Sequence, residues 1–249
     1  MEQESPNLVS IIAALFHNAP WTKYLFVWEN CIFSLLIILG LIIFSYFASR
    51  KKSLIPGRLQ NIAEVYVSGV DDFVCGVLGK KGRKYVPFIG TLFIYIISMN
   101  FMGLIPFMKS STTSWSTTLA LSLCVFVYVQ YTALKENGLI GYIDHLMDKP
   151  RGILAYSVFI PLLMLVLHII TELVKPLSLS LRLRSNIMGD DLGMSIIAGM
   201  GLAWLPLLLM NTFLAIIACI VQALVFCLLS TVYFALVVKE EEQIVSNPV

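Results

Sequence analysis

A polar stripe runs through a stretch of this chain that is otherwise apolar enough to lie in a membrane. At about 100° per residue, His168, Glu172, Lys175, Leu179, Arg182 and Asn186 fall on one face of a helix. Asp191, nine residues beyond Arg182, lies on the opposite face, where Arg184 accompanies it one heptad earlier. An Arg at the centre of a bilayer helix costs ~2.5–3.5 kcal/mol on insertion scales, so such a residue reads as functional, with a partner to be found. Carboxylates can relay protons, whereas an Arg with a pKa above about 12 stays charged. The pattern therefore suits ion movement through two separated polar regions. Arg182 would stand between them as an electrostatic block, because an adjacent Arg lowers an acid's pKa by ~1–3 units and drives a passing carboxyl to its ionised form.

Each of these residues also has a structural reading. Arg182 could be a structural cation paired with Glu172 or with a lipid phosphate, and Arg184 a charge partner of Asp191 or Asp190. His168 could be a hydrogen-bonded packing residue or a relay, since His titrates near neutrality. Gln222 could bridge helices. Lys175 reads as a side chain that snorkels or bonds carbonyls freed at a helix bend. Asn100 and Tyr233 read as polar packing groups, and Ala215 and Ala218 as close-packing positions.

Composition sets the class in which that chemistry operates. The chain has 249 residues, 58% hydrophobic and 13% charged, with a mean hydropathy of +0.86, which is the profile of an all-α integral membrane protein. The net charge of +2 and the lack of a basic cluster interleaved with aromatics exclude nucleic acid as a partner. Cys31, Cys75, Cys124, Cys219 and Cys227 are scattered, mostly in apolar runs, and read as small core residues, neither a disulfide framework nor a metal site. Residues 1–6 are acidic and lack the basic region of a cleaved targeting segment. The segment Gly76-Val77-Leu78-Gly79-Lys80-Lys81 has the wrong spacing for a phosphate-binding loop.

The apolar runs predict spans at about 30–48, 86–107, 117–134, 152–202 and 207–238, with an amphipathic helix over 59–79 lying along the membrane surface. The 152–202 span is too long to cross perpendicularly and predicts one long tilted helix bent near Pro176, with a second long helix after a turn marked by Pro206. Residues 109–116 form a short polar loop, and the mixed-charge stretch 135–151 connects two spans. Arg50, Lys51, Lys52, Arg58, Lys80, Lys81, Arg83 and Lys84 place the 50–84 loop in the cytoplasm, so five crossings leave the N-terminus outside and the C-terminus inside. No internal repeat or soluble linker interrupts this pattern, which reads as a single membrane domain over 1–249.

The string KPLSLSLRLRSNIMGDD, residues 175–191, resembles the signature of subunit a of rotary F-type ATP synthases, KPxSLxLRLFGN followed by small residues and an acidic or His position. Residues 87–106 resemble the family's second span with its MNxMxLxP ending, and Gln222-Ala223 through Thr231-Val232-Tyr233 resemble its final helix. The resemblance implies that Arg182 is the family's essential arginine facing a ring of c subunits, with Gln222 beside it. It also implies that Asn186 and Lys175 match family positions and that Asp191 holds the half-channel position where relatives carry Glu or His.

The chain departs from the pattern at four places. Ala215 stands where relatives often have a titratable partner, seven residues before the glutamine. His168 replaces a common Glu, with Glu172 one turn later. Arg184-Ser185 replaces Phe-Gly, and Gly103 replaces an acidic residue.

The resemblance further implies a non-catalytic, cofactor-free, proton-translocating stator subunit in a bacterial inner membrane. Its partners would be the c ring, the b subunits of the peripheral stalk, the catalytic ATPase head indirectly, and membrane lipids. The rival reading is a secondary transporter or permease subunit, which predicts internal repeats and Gly/Pro-broken helices in corresponding halves; neither is present in the sequence.

Overall fold

The computed structural model describes residues 21–50, 57–105, 108, 110–146, 154–201 and 204–246. The acidic residues 1–6, Lys51, Lys52, Lys109 and the end of the 135–151 connection lie outside them. The described residues are helical almost throughout, and the chain is an all-α integral membrane protein.

The first described helix, α1 (Trp21–Ser49), is built from an apolar run without Pro and exposes Leu35, Ile38, Leu39 and Ile42. Exposure of that kind fits contact with lipid, whereas Phe33 and Ile37 turn inward against Met99 and Met102. Helix α2 (Arg58–Leu78) is the amphipathic element the pattern predicts. It stops at Gly79, whose φ of 70° is open to glycine and whose N–H bonds the Cys75 carbonyl at 2.9 Å. A 3-10 turn (Lys80–Tyr85) then leads into α3 (Val86–Gly103), with Pro87 in the first helical turn, where its missing N–H has no bond to lose. Tyr66 of α2 ties the two helices by donating to the Gly90 carbonyl at 2.5 Å.

A second 3-10 turn (Ser111–Thr113) precedes α4 (Trp115–Leu146), and the two longest helices follow, α5 (Leu154–Gly199) and α6 (Leu205–Ser246). Their ends differ from the predicted spans. The polar residues after Lys135 continue α4 to Leu146 instead of leaving it, because no Pro interrupts them. The turn before α6 forms at Gly201, with φ of 94°, and Pro206 sits inside the first turn of the helix. Helix α5 runs through Pro176 unbroken, although that residue removes the N–H that would reach the Glu172 carbonyl.

Side-chain contacts give the relative directions. Ser34 meets Tyr95 at 2.6 Å and Ser111 reaches the Asn30 carbonyl, so α1 and α3 are antiparallel. Asn100 bonds the Cys219 carbonyl and Cys227 the Ile89 carbonyl, so α3 opposes α6. Gln130 meets Glu172 while Thr113 meets Asp191, so α4 opposes α5. Between α3, α4 and α6, Tyr85, Phe88, Tyr128 and Phe234 stack closely, with Tyr85 and Phe234 centroids 4.6 Å apart, and anchor the end of the bundle that carries the basic 3-10 turn.

Four stretches of the described residues are long and apolar enough to cross a membrane: 28–48, 80–103, 115–135 and 205–237. Helix α5 carries Glu172, Lys175, Arg182, Arg184, Asp190 and Asp191 along its length. Yet α5 packs antiparallel between α4 and α6, and from Glu172 to Asp191 it rises about 28 Å, close to the thickness of a hydrocarbon core. Its charges are therefore spread as a ladder over a length close to that of a hydrocarbon core.

Candidate functional site

Three polar stations lie along that ladder. At the first, Glu172 accepts a hydrogen bond from Gln130 Nε2 of α4 at 2.8 Å and forms an ion pair with Lys175 one turn along its own helix. His168 Nε2 lies 4.0 Å from the same carboxylate, and the Lys175 ammonium sits 5.4 Å from the centre of the Tyr233 ring of α6. Two other members of the stripe, His168 and Lys175, are thus drawn toward the Glu172 carboxylate. Lys175, read from sequence as a snorkelling or carbonyl-bonding side chain, is a counter-ion to Glu172. Gln130 was missed, although a single amide in the apolar run of α4 was a visible signal.

The second station is the middle of the helix. Asn186 Nδ2 donates to Gln222 Oε1 at 2.6 Å, bridging α5 and α6. Gln222 is 3% exposed, and its Nε2 has no partner among the described residues. Arg182 is different in kind. Its side chain is exposed, and among the described residues it makes no hydrogen bond or ion pair. The Glu172 carboxylate offered by the structural reading is already engaged by Lys175 and Gln130. The buried face of α5 is formed by Leu179, Ser180, Leu183 and Ile187, so Arg182 projects at the edge of the bundle with exposed Leu181, Ser178 and Ser185 around it.

The third station contains Asp191, Arg184 and the Ser111–Thr113 turn. Arg184 Nε donates to the Thr113 carbonyl at 3.0 Å, and its guanidinium lies 4.7 Å from the centre of the Trp115 ring. The Thr113 hydroxyl in turn donates to Asp191 Oδ2 at 3.3 Å. The turn thus stands between the two charges that the sequence reading paired. Deeper in the bundle, Thr112 donates to Asn100 Oδ1 at 3.2 Å and Asn100 Nδ2 reaches the Cys219 carbonyl. Asn100 is 2% exposed and Thr112 fully buried.

Gly103 makes this seating possible. A Cβ there would come within 2.7 Å of Ser110 Cβ, so the acidic residue of the family pattern has no room beside the turn as it lies. Asp190 is half-buried beside Asp191. Ala215 is 1% exposed and lies two turns from Gln222 on the same face of α6. Asn211 lies one turn beyond Ala215, next to Gly193 of α5, with its Nδ2 buried and unpartnered among the described residues. Neither Thr113 nor Asn211 was legible as a site residue, because short polar side chains in loops and at helix starts are common.

Spacing along the helix gives the stations their meaning. Arg182 is ten residues from Glu172 and nine from Asp191, which is about 15 Å and 14 Å of helix rise. It sits midway between two carboxylates that each accept a hydrogen bond from another element of the chain.

Known proteins similar to this chain share a description. The family model described as the ATP synthase A chain matches residues 31–235. The chain is 38% identical to ATP synthase subunit a of Protochlamydia amoebophila (strain UWE25), over 96% of this chain and 90% of that protein. It is 35% identical to ATP synthase subunit a of Moorella thermoacetica, over 89% of this chain and 94% of that one. It is 37% identical to ATP synthase subunit a of Nitratidesulfovibrio vulgaris (strain DP4), over 82% of this chain and 81% of that one. With its apolar antiparallel helices and the charged ladder of α5 between them, the chain belongs to the ATP synthase A chain family.

Proposed function

We propose that this chain is the stator channel subunit of an F-type ATP synthase, in which protons cross the membrane in two halves separated by Arg182. The observation that carries this reading is the unpartnered Arg182, exposed at the edge of the bundle and midway between two separately satisfied carboxylate stations. A structural cation would be drawn onto Glu172, and a lipid-phosphate anchor would lie nearer a membrane surface. An Arg left open at the edge of the bundle fits a second molecule that brings its own carboxylates. The c ring supplies that partner.

In this account the basic 50–84 segment is cytoplasmic, the N-terminus is outside and the C-terminus inside a bacterial inner membrane. Asp191 and the Ser111–Thr113 turn line the outer half-channel, with Asp190 and Asn100 beside them. Glu172 and His168 line the inner half-channel, with Lys175 and Tyr233 holding Glu172 in place. A proton passes from Asp191 to a ring carboxylate, rides round with the ring and leaves on the inner side. Arg182 forces each carboxyl that passes it to ionise, because the charged acid beside a guanidinium is the stabilised form. Gln222 and Asn186 hold α5 and α6 in register beside it. Each proton falling through 100 mV supplies about 2.3 kcal/mol, so several are used per ATP. The chain itself makes no covalent bond; the b subunits hold it against the ring, and the ATPase head uses the rotation.

The contact is testable by cross-linking. Ser178 and Ser185 are exposed beside Arg182, whereas Ser180 is fully buried. Ser178→Cys and Ser185→Cys should form disulfides with cysteines placed next to the ring carboxylate, and Ser180→Cys should not. Cross-linking from Ser180→Cys alone would put the ring on another face.

A further inference from the structure

We propose that Arg184 is a positioning residue of the outer proton entrance, acting through the Ser111–Thr113 turn to hold the Thr113 hydroxyl on Asp191. The inference rests on the reading of Asp191 as the outer relay and goes beyond it. Two departures from the family pattern meet at this turn. Arg184, where the pattern has Phe, donates to the Thr113 carbonyl at 3.0 Å and stacks on Trp115. Gly103, where the pattern is often acidic, leaves the space that Ser110 Cβ fills. Ser110 is further fixed by its bonds to the Met99 carbonyl and to Thr112, and Ser111 by its bond to the Asn30 carbonyl. The turn is therefore bound to α1, α3 and α5, and the Thr113 hydroxyl is directed at Asp191 of the ladder.

The chemistry follows from that placement. A hydroxyl both donates and accepts, so Thr113 can hold the ionised Asp191 and also offer a lone pair to its protonated form. Ala215 cannot supply a titratable partner from α6, so the turn supplies a polar one from the other side. Arg184 orders the turn from behind without taking up or releasing a proton.

The test compares side chains of matched size in the assembled complex, with ring copurification and ATPase activity checked in parallel and proton-driven ATP synthesis as the readout. Arg184→Met keeps the length and removes the donor; synthesis should fall about tenfold, the scale of a lost hydrogen bond to a charged group. Arg184→Lys, which can still donate to the Thr113 carbonyl, should keep most of the rate. Thr113→Val should fall about as far as Arg184→Met, and Thr113→Ser should recover. The double variant Arg184→Met/Thr113→Val should be no slower than Thr113→Val alone.

Should Arg184→Met not assemble, Gly103→Ala gives a second route, since its Cβ must displace Ser110 and should lower synthesis in the same way. Full activity in Arg184→Met or Thr113→Val, or multiplicative losses in the double variant, would overturn the inference. Asp191→Asn separates the two levels of the account: wild-type flux there overturns the outer-relay reading as well, whereas low flux there beside full flux in Arg184→Met overturns this inference alone.

Discussion

The two ends of the charged ladder on α5 are satisfied in different ways. At the Glu172 end the cation comes from the same helix, one turn away, and α4 adds Gln130. At the Asp191 end the hydroxyl comes from a turn 78 residues away in sequence, and that turn is held by Arg184. The first arrangement is local and forms with the helix. The second depends on how the whole bundle closes. Arg182 belongs to neither: Lys175 and Arg184 are both engaged within the chain, whereas Arg182 makes no hydrogen bond or ion pair among the described residues, which is why we propose it for a partner.

The comparison breaks first at Asp191. Asp191→Asn should cut proton pumping in inverted vesicles more than tenfold, since an amide neither takes up nor releases a proton near neutrality. Adding Ala215→Glu or Ala215→His to that variant should recover part of the flux. Ala215 lies on α6 between two levels of contact with α5, Asn211 against Gly193 and Gln222 on Asn186, and these bracket Asp190 and Asp191. No recovery, with assembly intact, would mean that Ala215 and Asp191 do not share a pathway.

A smaller effect is expected at the local end. Lys175→Met leaves Glu172 with Gln130 and with His168 at 4.0 Å. We expect a loss of about 1–3 kcal/mol in the stability of the detergent-solubilised complex, read from thermal denaturation, because a half-buried carboxylate loses its counter-ion. Lys175→Arg should retain most of it. The smallest effect belongs to the bridge. Gln222→Leu paired with Asn186→Leu should cost roughly 0.6–1.7 kcal/mol, the range for interhelical hydrogen bonds in membranes. Gln222→Leu alone should cost more than the pair, because it leaves the Asn186 amide unpaired.

Much of this was legible in the sequence. The helical period put His168, Glu172, Lys175, Arg182 and Asn186 on one stripe, and Asp191 on the face opposite Arg182, because both statements depend only on position along one helix. Four of the apolar runs likewise coincide with helices long and apolar enough to cross a membrane. Helix ends were less legible. Pro206 was read as a turn although Pro fits a first helical turn, and the polar residues beyond Lys135 were read as a connection although they continue α4. Partners from other helices were not legible at all. Gln130 on Glu172, Tyr233 beneath Lys175 and Thr113 between Arg184 and Asp191 depend on which elements are neighbours and in which direction they run, and one helix's periodicity carries no such information. Gly103 shows the same limit: the sequence recorded it as a missing acid, and the structure shows the space to be occupied by Ser110.

The central claim is that the middle of α5 holds a cation reserved for a partner, and it is tested most directly by changing Arg182 alone and measuring proton-driven ATP synthesis in vesicles that contain fully assembled complex. Arg182→Ala should abolish synthesis while the ring and the ATPase head still copurify, because an exposed side chain with no hydrogen bond or ion pair among the described residues contributes a field and not packing. Arg182→Lys should also fail, since an ammonium can lose its proton when desolvated and lacks the planar fork of donors. Near-normal synthesis in Arg182→Ala, with assembly intact, would contradict the account.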